Sequence, residues 1–247
     1  MYYKKIFASL VLLLLIVSVN AQSKIEWSRV IGGSGFDYGH SISLTNDDGY
    51  IITGASTSSN GDMQFNLGGF DVYISKLDKD GKTLWKKTYG SAGHDYGYLI
   101  RQTTDGGFIL LGRTDAVAGT ILGHLATPAK GGADLWILKL SSVGNIEWQK
   151  TIGGTKFDYG FGSGFVSDIK ETLDQGFIIA SSSTSRDGDL AGNHDSGDNN
   201  DAWALRLDKN GNILWSKLYG GTGTERFQGV QIASDGGFVF AGITTST

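Results

Sequence analysis

The chain contains no cysteine and a single proline among 247 residues. Without thiols there are no disulfides and no lipid-modified cysteine, so core packing alone must hold the fold together. Residues 22–247 are enough for a sizeable core. Beyond residue 21 there is no long apolar stripe at the 3.6-residue helical period, which argues against helices as the main elements. The 38 glycines instead point to short strands and tight turns. The fold class read from this is all-β.

Only one long apolar run occurs, at residues 6–19, preceded by Lys4 and Lys5 and followed by Val19-Asn20-Ala21. About fourteen apolar residues are too few to span the roughly 30 Å hydrocarbon layer comfortably. The layout is that of a secretory signal peptide cleaved after Ala21, which predicts a secreted or cell-surface protein with no membrane span after cleavage. Its removal takes two lysines from the 21 basic residues and leaves 19 against 25 acidic ones, a net charge of −6. A surface of that sign repels phosphate backbones and argues against nucleic acid as a partner.

An internal repeat organises the rest. Trp27, Trp85, Trp148 and Trp215 open similar phrases: Trp27-Ser-Arg-Val-Ile-Gly-Gly, Trp85-Lys-Lys-Thr-Tyr-Gly-Ser, Trp148-Gln-Lys-Thr-Ile-Gly-Gly and Trp215-Ser-Lys-Leu-Tyr-Gly-Gly. Each continues through an acid (Asp37, Asp95, Asp158 or Glu225) to a turn ending in Gly49, Gly107, Gly176 or Gly237. Within a copy, alternation and turn chemistry predict strands at 41–45, 50–55, 71–77 and 83–89. The turn at Asp47-Asp48-Gly49 needs a residue tolerant of positive φ. Four antiparallel strands per copy make one blade of a β-propeller. The expected organisation is a signal peptide at 1–21, an outermost strand within 22–31 at residues 25–31, blades at 32–89, 90–152 and 153–219, and a partial fourth blade at 220–247. The fourth copy stops after its second strand, so the ring is expected to be open or truncated and the chain to be a piece of a longer protein.

These residues resemble a known family. Gly32-Gly33-Ser34-x-x-Asp37-Tyr38-Gly39, Gly49-Tyr-Ile-Ile-Thr-Gly54, Asp71-Val-Tyr-Ile-Ser-Lys-Leu77-Asp78, Gly81 and Trp85 are similar to the bacterial SBBP-type β-propeller repeat, in register over nearly all of the mature chain. The resemblance implies a secreted or surface propeller, often inside a longer protein with adhesion or C-terminal sorting modules, and no shared catalytic residues. Such modules are absent from this sequence. Leu77-Asp78-x-x-Gly81-x-x-x-Trp85 is also similar to the repeats of pyrroloquinoline-quinone-type propellers, over one hairpin only.

The copies differ in length at two places. The interval from tryptophan to turn glycine is 22, 22, 28 and 22 residues, and the segment from Ser56, Thr114 or Ser183 to Asp71, Asp134 or Asp201 is 15, 20 and 18. Strand alternation sends both connections to one face. Variable loops on one face of a rigid scaffold are where binding usually resides.

Candidate sites follow from recurrence. Asp37, Asp95, Asp158 and Glu225 sit just before the innermost strand, where they would ring a channel mouth or else accept N–H bonds from their glycine-rich loops. The third long loop carries Asp187, Asp189, Asn193 and Asp195, hard oxygen donors suited to Ca²⁺. The other reading of that loop is a solvated turn. All six tryptophans have equivalents in other copies and are read as packing. His40, His94, His124 and His194 show neither metal-ligand spacing nor recurrence and are read as loop residues. No Gly-x-Ser-x-Gly, Gly-x4-Gly-Lys-Ser/Thr or His-Glu-x-x-His occurs. The expectation is a non-enzymatic binding or spacer module for protein or glycan. A glycan-cleaving propeller with paired carboxylates at the channel mouth is the alternative.

Overall fold

The structure, a computed structural model, describes residues 24–116, 128–158, 168–190 and 199–246. The expected signal peptide, His124, residues 161–166 (where the six extra residues of the 28-residue interval fall), Asn193, His194 and Asp195 lie outside the described residues.

All regular elements among the described residues are strands. Sheet 1 is β1 (Asp37–Leu44), β2 (Tyr50–Ser56), β3 (Asp71–Leu77) and β4 (Thr83–Tyr89). Sheet 2 is β5 (Asp95–Gln102), β6 (Phe108–Thr114), β7 (Asp134–Leu140) and β8 (Ile146–Ile152). Sheet 3 is β9 (Asp168–Glu171), β10 (Phe177–Ser183), β11 (Asp201–Leu207) and β12 (Ile213–Tyr219). β13 (Glu225–Ile232) and β14 (Phe238–Thr244) pair as a two-stranded sheet 4. Within each sheet the strands lie in chain order and are antiparallel. Among the described residues the protein is therefore all-β, with three four-stranded antiparallel sheets and a two-stranded fourth.

Two expectations need correction. β1 starts at Asp37 rather than at residue 41, because its pairing with β2 runs through a register irregularity between Gly39 and Ser41, repeated at Gly97/Leu99 and Phe227/Gly229. A bulge interrupts the period-two pattern without ending the strand, so alternation detected only the regular half. Residues 25–31 are not a strand. They pair with no described strand, and two of their side chains dock on sheet 1. Trp27 meets Tyr50 edge-on at 5.5 Å, and Arg29 Nη1 donates to the Gly81 carbonyl at 3.1 Å.

Each sheet packs face to face on the next. On β6, Phe108 and Leu110 join the core shared with sheet 1, and Ile109 and Leu111 join the core shared with sheet 3. On β7, Trp136 and Leu138 face sheet 1 while Leu135 and Ile137 face sheet 3. Strands covered on both sides must be apolar at every position, which is why Phe-Ile-Leu-Leu and Leu-Trp-Ile-Leu read as continuous runs. The recurring tryptophan joins neighbours: Trp85 packs edge-on against Phe108 at 5.7 Å and Trp148 against Phe177 at 5.8 Å.

The turn between the first two strands is built from two devices. Asp48 and Gln175 adopt φ of 59° and 63°, where the equivalent residues are Gly106 and Gly236. Behind them, buried Lys76, Lys139 and Arg206 reach from the third strand to Asp47, Asp105 and Asp174 at 2.8, 2.8 and 2.6 Å. The next glycine is needed for close approach: a Cβ at Gly107 would come within 2.6 Å of Lys139 Nζ. These partners hold Asp47, Asp105 and Asp174 down at about 2. Bonds from Lys76 and Thr45 dominate at Asp47, those from Lys139 and Thr103 overcome desolvation at Asp105, and those from Thr172 and Arg206 act at Asp174.

Candidate functional site

The pairing of Asp37 with Ser56 and of Ser56 with Asp71 puts the start of β1, the end of β2 and the start of β3 at one end of the sheet. The long loops emerge at this end, and every site residue singled out in the described sequence lies at or near it.

The four recurring acids stand on the first strand or in the loop leading to it, and each is committed to its own copy. Asp37 accepts from Gly33 N at 2.8 Å and from the hydroxyls of Ser56 and Ser58 at 2.5 and 3.1 Å. Asp95 accepts from Ser91 N and Oγ at 2.7 and 2.6 Å. Asp158 accepts from Gly154 N at 2.5 Å and from Ser183 and Ser185 hydroxyls. Glu225 accepts from Gly221 N at 3.0 Å, Thr244 Oγ1 at 2.8 Å and Ser246 Oγ at 2.7 Å. A short carboxylate tying an extended glycine-rich loop to the adjacent strand end satisfies backbone donors that would otherwise be buried unpaired.

A second tier of acids lies behind the first. Asp71, Asp134 and Asp201 open the third strands and are fully buried. Asp71 Oδ2 accepts from Leu67 N at 2.6 Å and Asp134 Oδ2 from Lys130 N at 2.8 Å. Oδ1 of either residue accepts from no donor among the described residues. Each faces a first-strand acid of the following copy. The wedge between them is a glycine: a Cβ at Gly153 would strike Asp134 and lie 2.7 Å from Asp158 Oδ2, and one at Gly220 would strike Asp201 and lie 2.8 Å from Glu225 Oε2. Desolvation first, then the charge of the facing acid, pushes Asp71 and Asp134 up to about 7, against backbone bonds from Leu67 and Ser91 at Asp71 and from Lys130 at Asp134. Desolvation also raises Asp95, against bonds from Ser91 and Thr114. Glu225 goes the other way, to about 2, because bonds from Ser246, Gly221 and Thr244 outweigh its desolvation.

Of the calcium candidates, Asp187 Oδ1 accepts from Thr155 N at 2.8 Å, while Asp189 Oδ2 accepts from Gly153 N at 3.1 Å and pairs with Lys130 Nζ at 2.5 Å. Asn60 and Asp62 do the same for Ser34 N and Gly32 N in the first copy. The described half of the set therefore caps its own glycine loop, and no group of three or more metal-ligating side chains occurs among the described residues.

Aromatic side chains gather at this end between sheets 1 and 2. Between sheets 1 and 2, six rings lie in contact: Tyr38 and His40 on β1, Phe70 just before β3, His94 just before β5, and Tyr96 and Tyr98 on β5. Phe70 is the hub, 5.5 Å from Tyr38, 5.9 Å from His94 and 5.1 Å from Tyr96 between ring centres. His40 lies 5.2 Å from Tyr98, and Tyr38–His40 and Tyr96–Tyr98 are each within 11° of parallel. Arg113 stacks its guanidinium 4.4 Å from the centre of Tyr96. Tyr38 is 48% exposed, His40 and His94 are exposed, and the other rings are half-buried. Sequence reasoning classed the two histidines as loop residues and missed the cluster. The signal was in the repeat columns: Phe70 stands where Ala133 and Asn200 stand in the other copies, and Arg113 where Ala55, Ser182 and Ile243 stand.

No protein-family model and no curated protein matches this chain.

Proposed function

We propose that this chain is an exported propeller-type array, with three complete blades and the first half of a fourth, that works as a non-enzymatic binding module for protein or glycan. The observation that carries the reading is the aromatic cluster around Phe70 at the junction of sheets 1 and 2, with Tyr38, His40 and His94 open to solvent. Large rings held half in water on a rigid framework give contact area at little entropic cost. The likeness to SBBP-type repeats is supported by three sheets of four antiparallel strands in chain order, each stacked on the next.

The channel-mouth acids that a glycan-cleaving reading would use, Asp37, Asp95, Asp158 and Glu225, are each bonded to their own loop, and Asp95 and Asp158, with Asp71 and Asp134 behind them, have no exposed surface. A general acid must come within hydrogen-bond reach of the bond it protonates, so binding is the better-supported reading. Arrays of surface proteins and glycans test it. The chain should capture at least one component and lose it on Tyr38→Ala/Tyr98→Ala substitution with the circular dichroism spectrum unchanged. Retained capture, or capture by none, would overturn the reading.

A further inference from the structure

We infer that the cluster is a stacking site for a neutral pyranose saccharide, with Tyr38 as the platform and His40 and His94 as its polar edges. The inference rests on the binding-module reading and specifies its ligand.

Tyr38 is more open to solvent than Phe70, Tyr96 or Tyr98, and its neighbours Phe70 and His40 extend the surface, at 5.5 and 6.4 Å. Beneath them Tyr96 is held in place by Arg113 on one side and by Phe70 and Tyr98 on others. The axial C–H groups of a pyranose carry slight positive charge and pack on the negative face of an aromatic ring. The ring hydroxyls project sideways, and each both donates and accepts.

The two imidazoles supply matching groups in fixed tautomers. Phe70 N–H donates to His94 Nδ1 at 3.2 Å, so the neutral ring carries its proton on Nε2 and presents a donor. His40 Nδ1 lies 3.0 Å from the Gly97 carbonyl, which only accepts, so Nδ1 holds the proton and Nε2 presents an acceptor. One donor and one acceptor beside a ring platform suit hydroxyl groups. A proline-rich peptide, whose carbonyls only accept, would leave the His40 edge unmatched.

Charge narrows the class further. The nearby carboxylates Asp37 and Asp95 are engaged with their own loops, and Asp115 accepts from His94 N at 2.6 Å. The guanidinium of Arg113 is laid over Tyr96. Among the described residues at the cluster these charged groups are already engaged and none projects as a counter-ion, which favours neutral sugars over uronic acids or phosphosugars.

The test is saturation-transfer NMR and titration calorimetry of the purified chain with neutral gluco-, galacto-, manno- and N-acetylglucosamine oligosaccharides, a uronic-acid oligosaccharide and a proline-rich peptide. At least one neutral oligosaccharide should bind, with transfer strongest at its ring C–H protons. Tyr38→Ala removes an exposed ring and should weaken binding about ten-fold, with His40→Ala and His94→Ala each giving a smaller loss. Binding only of the uronic-acid probe or the peptide, or neutral-sugar binding that Tyr38→Ala leaves unchanged, overturns the saccharide assignment. If a protein from the surface-protein array is captured through Tyr38 while all sugars fail, the saccharide inference falls and the binding-module reading stands. If nothing is captured, both fall.

Discussion

Replacing Asp134 by asparagine removes a titrating proton from the junction of sheets 2 and 3 while keeping the shape of the side chain. The groups facing it are Asp158 and Lys130, and its environment pushes it from 3.8 up to about 7. Between those values the folded chain holds a proton that the unfolded chain has released, so stability falls as pH rises from about 4 to 7 and is flat above. Three powers of ten at about 1.4 kcal/mol each set a ceiling of about 4 kcal/mol. Relaxation around a buried charge lowers this, and we expect about 1–3 kcal/mol. Asp71, also at about 7, contributes a second loss of the same sign. On the acid side, Asp47, Asp105, Asp174 and Glu225 are held at about 2, and their contribution is lost as pH falls below the usual carboxylate range. Maximum stability should therefore lie near pH 4, below the usual window of about pH 5–8. In Asp134→Asn the amide is neutral at every pH, so no proton has to be lost at this junction as pH rises. Urea midpoints followed by circular dichroism from about pH 3 to 9 should show the variant equal to the parent near pH 4 and more stable by about 1–3 kcal/mol at pH 8. A parent curve flat between pH 4 and 8, or a variant that falls in parallel with it, would refute the reasoning.

Gln175→Gly should stabilise the chain by about 1 kcal/mol, since its φ of 63° suits glycine and its counterparts Gly106 and Gly236 adopt the same region; a lowered urea midpoint would count against this. Gly107→Ala should destabilise by more than about 2 kcal/mol, because the new Cβ crowds Lys139 and the Leu140 carbonyl and loosens the Lys139–Asp105 pair. Trp136→Ala, in the core between sheets 1 and 2, should cost about 3–5 kcal/mol by thermal or urea unfolding. Millimolar Ca²⁺ should leave the melting temperature unchanged, because Asp187 and Asp189 already cap a loop and pair with Lys130; a rise in calorimetry would show that the 187–195 loop binds the ion.

Much of this was legible from the chain alone. Recurrence of Trp27, Trp85, Trp148 and Trp215 located the copies, and strands 71–77 and 83–89 match β3 and β4 because turn chemistry marks both ends of that hairpin. Reading the recurring acids as loop ties rather than reactive groups follows from their equivalence, and the bonds at Asp37 and Asp158 have that form. The start of β1 was missed because a bulge breaks the alternation. Residues 25–31 have the composition of a strand, but a strand also requires a hydrogen-bonding partner, which composition does not reveal.

Local pattern thus determined the strands, the turns and the antiparallel order within each sheet, since these depend on residues within a few positions of one another. Tertiary structure alone decided what meets across a junction. Phe70 reaches His94 and Tyr96 across 24 and 26 residues, and Asp71 comes to face Asp95 of the next copy. Those meetings depend on how one sheet seats on another, which is set by the fit of whole buried faces. Packing of this kind brought four aromatic side chains and two histidines read as loop residues into one cluster.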